Sequence, residues 1–286
     1  SYDCKSGLNL RKTERLTFAT SVPSILDMIL NASSIEEYRD YLRGWKVIIG
    51  GAALPKGLAL KAISYGITVV GGYGLSETCP VLTISVMNDY TEKMKYEEAL
   101  DHLISAGLPV PLVNLRVVDP SGNDVPWDNK TVGEVIVRAP WLTKEYYNDP
   151  EKTEELWRDG WLHTGDLGVI DEFGYLHIVD REKDAVKSGG EFIPTIILEN
   201  AISEVKGVGE VAVIGAPDPK WGERPVAFIV KTGEVSEKEI YDHLNDYVKL
   251  GRIQKWWIPD KIYFIDSMPK TSTNKIDKKA LREKLS

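Results

Sequence analysis

The chain has few of the residues that build disulfide-linked or metal-bound domains. It contains only two cysteines, Cys4 and Cys79, and they do not have metal-ligand spacing. No disulfide framework is therefore expected, and a reducing cytoplasm is the expected compartment. The histidines are also few and lack zinc spacing, which favours structural roles for all of them. They are His102, His163, His177 and His243.

Long apolar runs are also missing. The stretch 22–30 is interrupted by polar residues and is far too short to span a bilayer, so no integral membrane segment is predicted. Peripheral contact with a membrane stays open. The N-terminus, Ser1-Tyr2-Asp3-Cys4-Lys5, has neither the basic start nor the apolar centre of a signal peptide. It also lacks an initiator methionine, as expected of a trimmed product.

The chain has no surplus of basic residues. Asp and Glu total 43 against 35 Lys and Arg, which gives a net charge of -8 and argues against nonspecific nucleic-acid binding. Hydrophobic residues make up 43% and charged residues 27%, an ordinary globular composition. The length of 286 residues suits one large or two modest domains.

Helix and strand patterns alternate in the first hundred residues. Ser21-Val22-Pro23 predicts an N-cap and an early helical proline, and Ser34 and Glu37 have capping-box spacing. Residues 45–49 and 67–70 are predicted strands, and a helix between them begins at Pro55. Short connections between strand, helix and strand favour a parallel sheet, with ligands at the carboxyl ends of its strands.

The middle of the chain, residues 107–180, reads as β-rich. Strands are predicted at 112–118, 132–137 and 175–179, separated by Asp- and Gly-containing turns. One helix is predicted after Asp149, which would cap it, with Pro150 in its first turn.

A run of five charged residues, 180–184, separates this region from a predicted small α+β domain at 185–286. We place the domain boundary at that run. Helices are expected near 194–205, from Ser236 with Glu239 at capping-box distance, and after Asp277. Strands are expected near 208–214, 226–230 and 261–265.

Two segments carry groups suited to a nucleotide. In Tyr73-Gly74-Leu75-Ser76-Glu77-Thr78 the aromatic ring could stack on a purine, the hydroxyls could donate, and the carboxylate could hold Mg²⁺ beside phosphates. A glycine turn with an exposed acid explains the local pattern equally well. In Gly165-Asp166 a carboxylate on a rigid turn could accept both hydroxyls of a ribose. Local evidence alone favours an Asx turn there.

Three further segments are weaker in isolation. Arg181 and Lys183 lie in the charged run, which is most often a solvated turn. The glycines of Lys187-Ser188-Gly189-Gly190 would let the backbone approach a thiol, or simply form a turn or bulge. Lys275 could stabilise charge that develops between a carboxylate and a phosphate, although a lysine in a lysine-rich tail is usually solvated.

Taken in order, four segments resemble the adenylate-forming enzymes, which include acyl-CoA synthetases, luciferases and peptide-synthetase adenylation domains. The segments are residues 73–78, Gly165-Asp166, residues 180–184 and the stretch 269–278. The resemblance spans nearly the whole chain. It implies an α/β and α+β multidomain fold: the remnant of a large α/β sheet domain with a β-rich, distorted-barrel subdomain, followed by a small mobile domain. The corresponding ranges are 1–180, divided at 106/107, and 185–286, with a hinge at 181–184.

The resemblance also assigns roles. Nucleotide binding falls to Gly51, Ala52, Ala53, Tyr73, Gly74, Thr78, Asp166 and Arg181. Tyr73 would lie on the adenine, while Asp166 and Arg181 would bind the ribose. Ser76 would contact phosphate, and Glu77 would hold Mg²⁺. Lys275 would act as the catalytic cation of adenylation.

The remaining roles concern a second step. Lys183 would be the hinge, where many relatives have Asp and others Lys. Lys187, Ser188, Gly189 and Gly190 would face the active site during thioester formation. Asn274 departs from the glycine of many relatives, and little harm is expected because Asn tolerates left-handed geometry.

The sequences of residues 187–191 and 255–259 resemble the corresponding segments of short- and medium-chain fatty-acyl-CoA synthetases. The implied partners are a fatty acid and CoA, with ATP, AMP and Mg²⁺. An aryl-CoA ligase, a carrier-protein-loading enzyme or a non-catalytic binding fragment stays open. The Ser/Thr/Gly-rich phosphate loop of this family is missing, so the chain resembles the C-terminal portion of a longer enzyme, and we expect no fatty-acid activation by it alone.

Overall fold

The computed structural model describes residues 4–270 and 276–285. The described residues form three five-stranded sheets, each with its own set of helices. Lys275 lies outside the described residues. None of the helices in the described ranges combines the length and apolar character needed to span a bilayer.

The first sheet has the strand order β1-β2-β3-β4-β5. Strands β2 and β3 run parallel, as predicted, β1 adds a further parallel strand, and β4 and β5 are added antiparallel. The strands are β1 Phe18–Ser21, β2 Lys46–Ile49, β3 Thr68–Tyr73, β4 Thr83–Ile84 and β5 Leu108–Pro109. The helices are α1 Cys4–Thr13, α2 Pro23–Leu30, α3 Arg39–Leu42, α4 Lys56–Ser64 and α5 Tyr96–Leu103. Buried Val47 and Ile49 of β2 pack with apolar faces of these helices in one core.

Two predicted helix caps in this region are wrong. Ser21 is the last residue of β1, which the sequence did not predict, and α2 begins after Val22 without a side-chain cap. Ser34 precedes only a short 3₁₀ helix at Ile35–Tyr38 and makes no capping hydrogen bond. Proline at the first position of α2 is confirmed.

The second sheet has the order β10-β9-β7-β6, with β8 paired to β9. Its strands are β6 Asn114–Val118, β7 Gly133–Arg138, β8 Trp157–Arg158, β9 Trp161–Ile170 and β10 Leu176–Arg181. The helix α6, Pro150–Leu156, begins as predicted, because the Asp149 carboxylate accepts the N–H of Lys152 at 3.1 Å.

Strand β9 corrects the prediction that Gly165-Asp166 forms a turn. Both residues lie inside this ten-residue strand, which pairs with β7 on one side and β10 on the other. The pairing with β7 shifts register between Glu134 and Ile136, and Gly165 has a φ of 65°. A strand containing turn-forming residues is therefore kept in the sheet by a local bulge.

The third sheet has the order β12-β11-β14-β13, with β15 paired to β14. Its strands are β11 Val186–Ser188, β12 Glu191–Ile193, β13 Val208–Asp218, β14 Gly222–Lys231 and β15 Lys261–Phe264. Its helices are α7 Thr195–Ser203, α8 Glu237–Lys249 and α9 Lys278–Glu283. The capping box of Ser236 and Glu239 at α8 is confirmed, and the Asp277 side chain caps α9.

Asp180 joins the second and third sheets. It lies in β10 and is buried, yet its Oδ2 atom accepts the Thr195 N–H at 2.5 Å and the Thr195 hydroxyl at 2.8 Å. The Ile196 N–H approaches the same oxygen at 3.4 Å. A carboxylate from one sheet therefore occupies the N-terminus of α7, the first helix of the next unit.

Candidate active site

Two adjoining cavities lie beyond the end of β3. The first, of about 770 Å³, is lined by Ser76 and Glu77 together with parts of α6 and β9. The second, of about 700 Å³, is lined by residues 51–53 together with Tyr73 and Asp166. Gly74, Leu75 and Arg181 line both cavities. The fold thus brings together residues from four of the sequence segments to which the resemblance assigns roles.

Tyr73, Asp166 and Arg181 form a cluster where the two cavities meet. The Tyr73 hydroxyl donates to Asp166 Oδ2 at 2.8 Å, and Arg181 Nε lies 2.8 Å from Oδ1. Asp166 is only 3% exposed. Each carboxylate oxygen thus has a donor, which fixes the orientation of the group. Strand register explains the pairing, since Arg181 lies opposite Asp166 across β9 and β10.

Burial decides the protonation behaviour of this cluster. It raises the pKa of Asp166, and the hydrogen bond from Tyr73 and the charge of Arg181 only partly oppose the rise. Burial and the Asp166 charge also raise the pKa of Tyr73, so its hydroxyl remains a donor. The site therefore contains an acid that is held ionised at the expense of folding free energy.

We expect Asp166→Asn to gain stability relative to the parent protein as the pH rises from about 4 to about 7. A raised folded pKa means that the stabilising contribution is present below the unfolded pKa of about 3.9 and is lost as pH rises through the folded value. The amide does not ionise and avoids that loss. Urea unfolding at several pH values measures the difference.

Asp119→Asn is the control of opposite sign. Hydrogen bonds from Asn123 and neighbouring backbone lower the pKa of the exposed Asp119 carboxyl. Its stabilising contribution is therefore present above the unfolded pKa and is lost as pH falls, so this variant should lose relative stability as the pH rises. The same trend in both variants would contradict the assignment for Asp166.

Glu77 offers an oxygen ligand in the wall of the first cavity. Its Oε1 atom accepts the Tyr146 hydroxyl at 2.7 Å, and the side chain is half-buried. Burial, with the hydrogen bond and charge of Glu77, raises the pKa of Tyr146 to about 12, which keeps the phenol a donor. A carboxylate held at one oxygen, beside the exposed Ser76, fits the hard oxygen ligation that Mg²⁺ prefers.

Thr78 has a different environment from the one that the resemblance implies. Its side chain is fully buried, and its hydroxyl contacts the backbone of Leu75 and Pro80 at 2.8–3.0 Å. It lines neither cavity. The Thr78 hydroxyl therefore stabilises the backbone conformation of loop 73–78 and does not face either cavity. The loop ends at Cys79, which is exposed and has a left-handed φ of 52°.

Glu134, His163 and Arg158 form a cluster in the first cavity that the sequence analysis missed. Glu134 is 7% exposed, and its Oε2 atom lies 2.8 Å from His163 Nδ1 and 3.4 Å from Arg158 Nη2. Its Oε1 atom accepts the Gly165 N–H at 3.3 Å, next to Asp166. The signal was an acidic residue within an apolar strand, because a buried charge requires partners.

The segment predicted for the thioester step lies apart from both cavities. Gly189 and Gly190 have φ values of 61° and 85° and form the two-residue turn of the β11–β12 hairpin. Ser188 is buried and accepts from Arg224 at 3.4 Å. Lys187 Nζ lies 2.7 Å from Glu182, which lines the first cavity. That ion pair therefore connects the hairpin to the lining of the first cavity.

Lys183 is exposed, and its carbonyl oxygen accepts a hydrogen bond from Arg282 at 3.2 Å. Of the predicted site residues, only Lys275 falls outside the described ranges.

The chain is similar to known proteins both in sequence and in fold. The chain is 40% identical over 283 residues to a long-chain-fatty-acid–CoA ligase of Thermus thermophilus, covering 98% of this chain and 51% of that protein. It is 36% identical over 286 residues to the long-chain-fatty-acid–CoA ligase FadD13 of Mycobacterium tuberculosis, covering 100% and 53%. ATP-bound MatB of Rhodopseudomonas palustris superposes with a TM-score of 0.70 at 30% identity, covering 99% and 53%.

The chain thus spans about half the length of these relatives. Residues 198–275 match the C-terminal domain of AMP-binding enzymes, and residues 3–147, just over half of the chain, match the AMP-binding enzyme family itself. Together with the cavity-lining order of residues 51–53, 73–77, 166 and 181, these matches place the chain in the adenylate-forming AMP-binding enzyme family.

Proposed function

We propose that the protein is a fatty-acid–CoA ligase that works through an acyl-adenylate. In the first step a carboxylate oxygen attacks the α-phosphorus of ATP, and pyrophosphate leaves. In the second step the CoA thiol loses its proton, its sulfur attacks the acyl carbonyl, and AMP leaves. The products are acyl-CoA and AMP. The cytoplasm is the compartment that we propose, consistent with two free cysteines.

The observation that supports this proposal is the cluster of Tyr73, Asp166 and Arg181 between two joined cavities. A nucleoside bound there would have an aromatic ring for its base and a fixed carboxylate for its ribose hydroxyls. The first cavity would take the phosphates, beside Ser76 and Glu77, and the second would extend along residues 51–53 towards the acyl group.

The chain's own residues divide the work of the first step. Glu77 would hold Mg²⁺, which neutralises phosphate charge when bound. Asp166 and Arg181 would orient the ribose, and Lys275 would place a cation where negative charge develops. In the second step the small domain would turn about Lys183 and bring residues 187–190 to the acyl-adenylate.

We expect Asp166→Ala to weaken AMP binding by roughly 100-fold or more. The variant loses two charge-assisted hydrogen bonds to the ribose, each of about 1.5–3 kcal/mol. Isothermal titration of the purified protein with AMP measures the affinity, and circular dichroism checks the fold. Asp242→Ala is the matched control, since Asp242 is an exposed acid paired with Lys238 on α8. An affinity of Asp166→Ala within a few-fold of the parent would contradict this assignment.

A panel of carboxylic acids separates this function from its rivals. In an enzyme of the relatives' full length that contains this chain, fatty acids should support CoA-dependent release of AMP, whereas an aryl-CoA ligase would prefer aromatic acids. A carrier-protein-loading enzyme would form the adenylate without accepting free CoA. AMP binding without any adenylate would indicate a binding function.

A further inference from the structure

His102, Asp171 and His177 converge on one point next to the second cavity. His102 Nδ1 lies 2.9 Å and His177 Nε2 lies 3.0 Å from the same oxygen, Asp171 Oδ2. All three potential ligand atoms lie within 4.8 Å of one another. They come from α5, from the residue that follows β9, and from β10. Separate elements of the fold therefore assemble a set of two imidazoles and one carboxylate.

The carboxylate of this cluster is held in position by the backbone. Asp171 is 1% exposed, and its Oδ1 atom accepts the N–H groups of Phe173 and Tyr175 at 3.0 and 2.9 Å. Only Oδ2 is left to face the two imidazoles. Outer hydrogen bonds of this kind orient the ligands of protein metal sites.

Hydrogen bonding within the cluster leaves one nitrogen unsatisfied. His177 Nε2 bonds to Oδ2, but His102 Nδ1 is buried and has no hydrogen-bond partner among the described residues, despite its short distance to that oxygen. The approach of His102 Nδ1 to Oδ2 at 2.9 Å therefore lacks the geometry of a hydrogen bond. A cation bound by all three atoms would satisfy each of them.

We propose that His102, Asp171 and His177 bind a divalent cation of the zinc class. Two imidazole nitrogens and one carboxylate oxygen are ligands that Zn²⁺ accepts, with a fourth position left for water. Ligands at about 2.0–2.1 Å in a tetrahedron lie about 3.3 Å apart, so the two histidine–carboxylate separations of 2.9 and 3.0 Å need to open by only a few tenths of an ångström. His177 also lines the second cavity, which gives an ion a route to the site.

The cation would link the first sheet and its helices to the second sheet. It would tie α5, which packs on β3, to the β9–β10 pair that carries Asp166 and Arg181. The ligase reaction described above does not require it. Binding to the folded state alone stabilises a protein in proportion to the logarithm of ligand concentration, so the melting temperature should rise with added Zn²⁺.

The test uses purified protein freed of metal by a chelator. We expect one equivalent of Zn²⁺ to bind and to raise the melting temperature, and Co²⁺ in its place to give the visible absorption of a tetrahedral site. His102→Gln and His177→Gln should each weaken Zn²⁺ binding at least about 10-fold, with melting temperatures measured without metal to confirm folding. Two single variants keep the test decisive should either fold poorly.

His243→Gln and Cys79→Ser are the controls, since both residues lie outside the cluster. They should bind Zn²⁺ as the parent does. The proposal is overturned by the absence of a stoichiometric site, by unchanged affinity in both cluster variants, or by loss of binding in a control. None of these readouts involves AMP or acyl transfer, so they do not depend on the ligase proposal.

Discussion

Asp180→Ala is expected to lower the free energy of unfolding by about 3 kcal/mol. The substitution removes a helix cap, worth about 0.5–2 kcal/mol, and leaves the buried donors of Thr195 without an acceptor, at about 1–3 kcal/mol for such a group. It also removes the acceptor of the Arg181 N–H, at 2.7 Å. Urea unfolding at neutral pH, followed by circular dichroism, measures the change.

Asp180→Asn separates the contribution of the capping hydrogen bonds from the contribution of the negative charge. Its amide oxygen can still accept the helix N–H groups, so we expect about half of the loss to be recovered. Asp246→Ala serves as the control, because Asp246 is an exposed acid paired with Lys249 within α8, and it should unfold like the parent. An Asp180→Ala protein as stable as this control would show that the buried carboxylate does not hold α7.

In an enzyme of the relatives' full length that contains this chain, Lys275→Ala is expected to slow adenylate formation by about 10²–10³-fold and to affect thioester formation from preformed adenylate much less. A fixed cation stabilises the charge of the first transition state, and in the proposed mechanism it is withdrawn before the second. The two half-reactions are measured separately, by carboxylate-dependent exchange of pyrophosphate into ATP and by transfer of a synthetic acyl-adenylate to CoA. Equal loss in both would contradict the proposed role.

Lys278→Ala is the matched control in the same tail. Lys278 Nζ lies 2.8 Å from Glu199 Oε1 and 2.7 Å from Thr195 Oγ1, and its side chain is 15% exposed. Its removal leaves the mostly buried Glu199 carboxylate without its cation and with the Val213 N–H as a remaining donor, so we expect a loss of about 2 kcal/mol in unfolding free energy. Any effect on catalysis should fall on both half-reactions alike.

Local signals predicted the elements whose determinants lie within a few residues of each other. The capping box at α8 is an example, because Ser236 and Glu239 bond to one another whatever surrounds them. Strand β2 was also predictable, since it is a short apolar run closed by glycines. Strand β9 was not, because Gly165, Asp166 and Gly168 favour turns. Pairing on both sides, with β7 and β10, overrides that preference.

The residues of the candidate site also fall into those that the sequence predicted and those that it did not. The order of motifs led to Tyr73, Asp166 and Arg181. The β9–β10 register pairs Asp166 with Arg181, and contact between the first and second sheets brings Tyr73 to Asp166. The partners of Glu134 and of Asp171 had no motif. His163 and His177 lie at strand positions without distinctive spacing. Strand pairing brings their imidazoles to Glu134 and to Asp171, and α5 brings the imidazole of His102 to Asp171. Such contacts arise between elements distant in sequence, so spacing along the chain does not reveal them.

The exposed Cys79 makes loop 73–78 directly observable. The only other cysteine, Cys4, lies in α1 and is partly buried, so replacing it with serine leaves a single thiol at the end of the loop. A fluorophore coupled there would stand beside the segment that supplies Ser76 and Glu77 to the first cavity. The scarcity of cysteine therefore lets one probe report in real time when that cavity fills and empties.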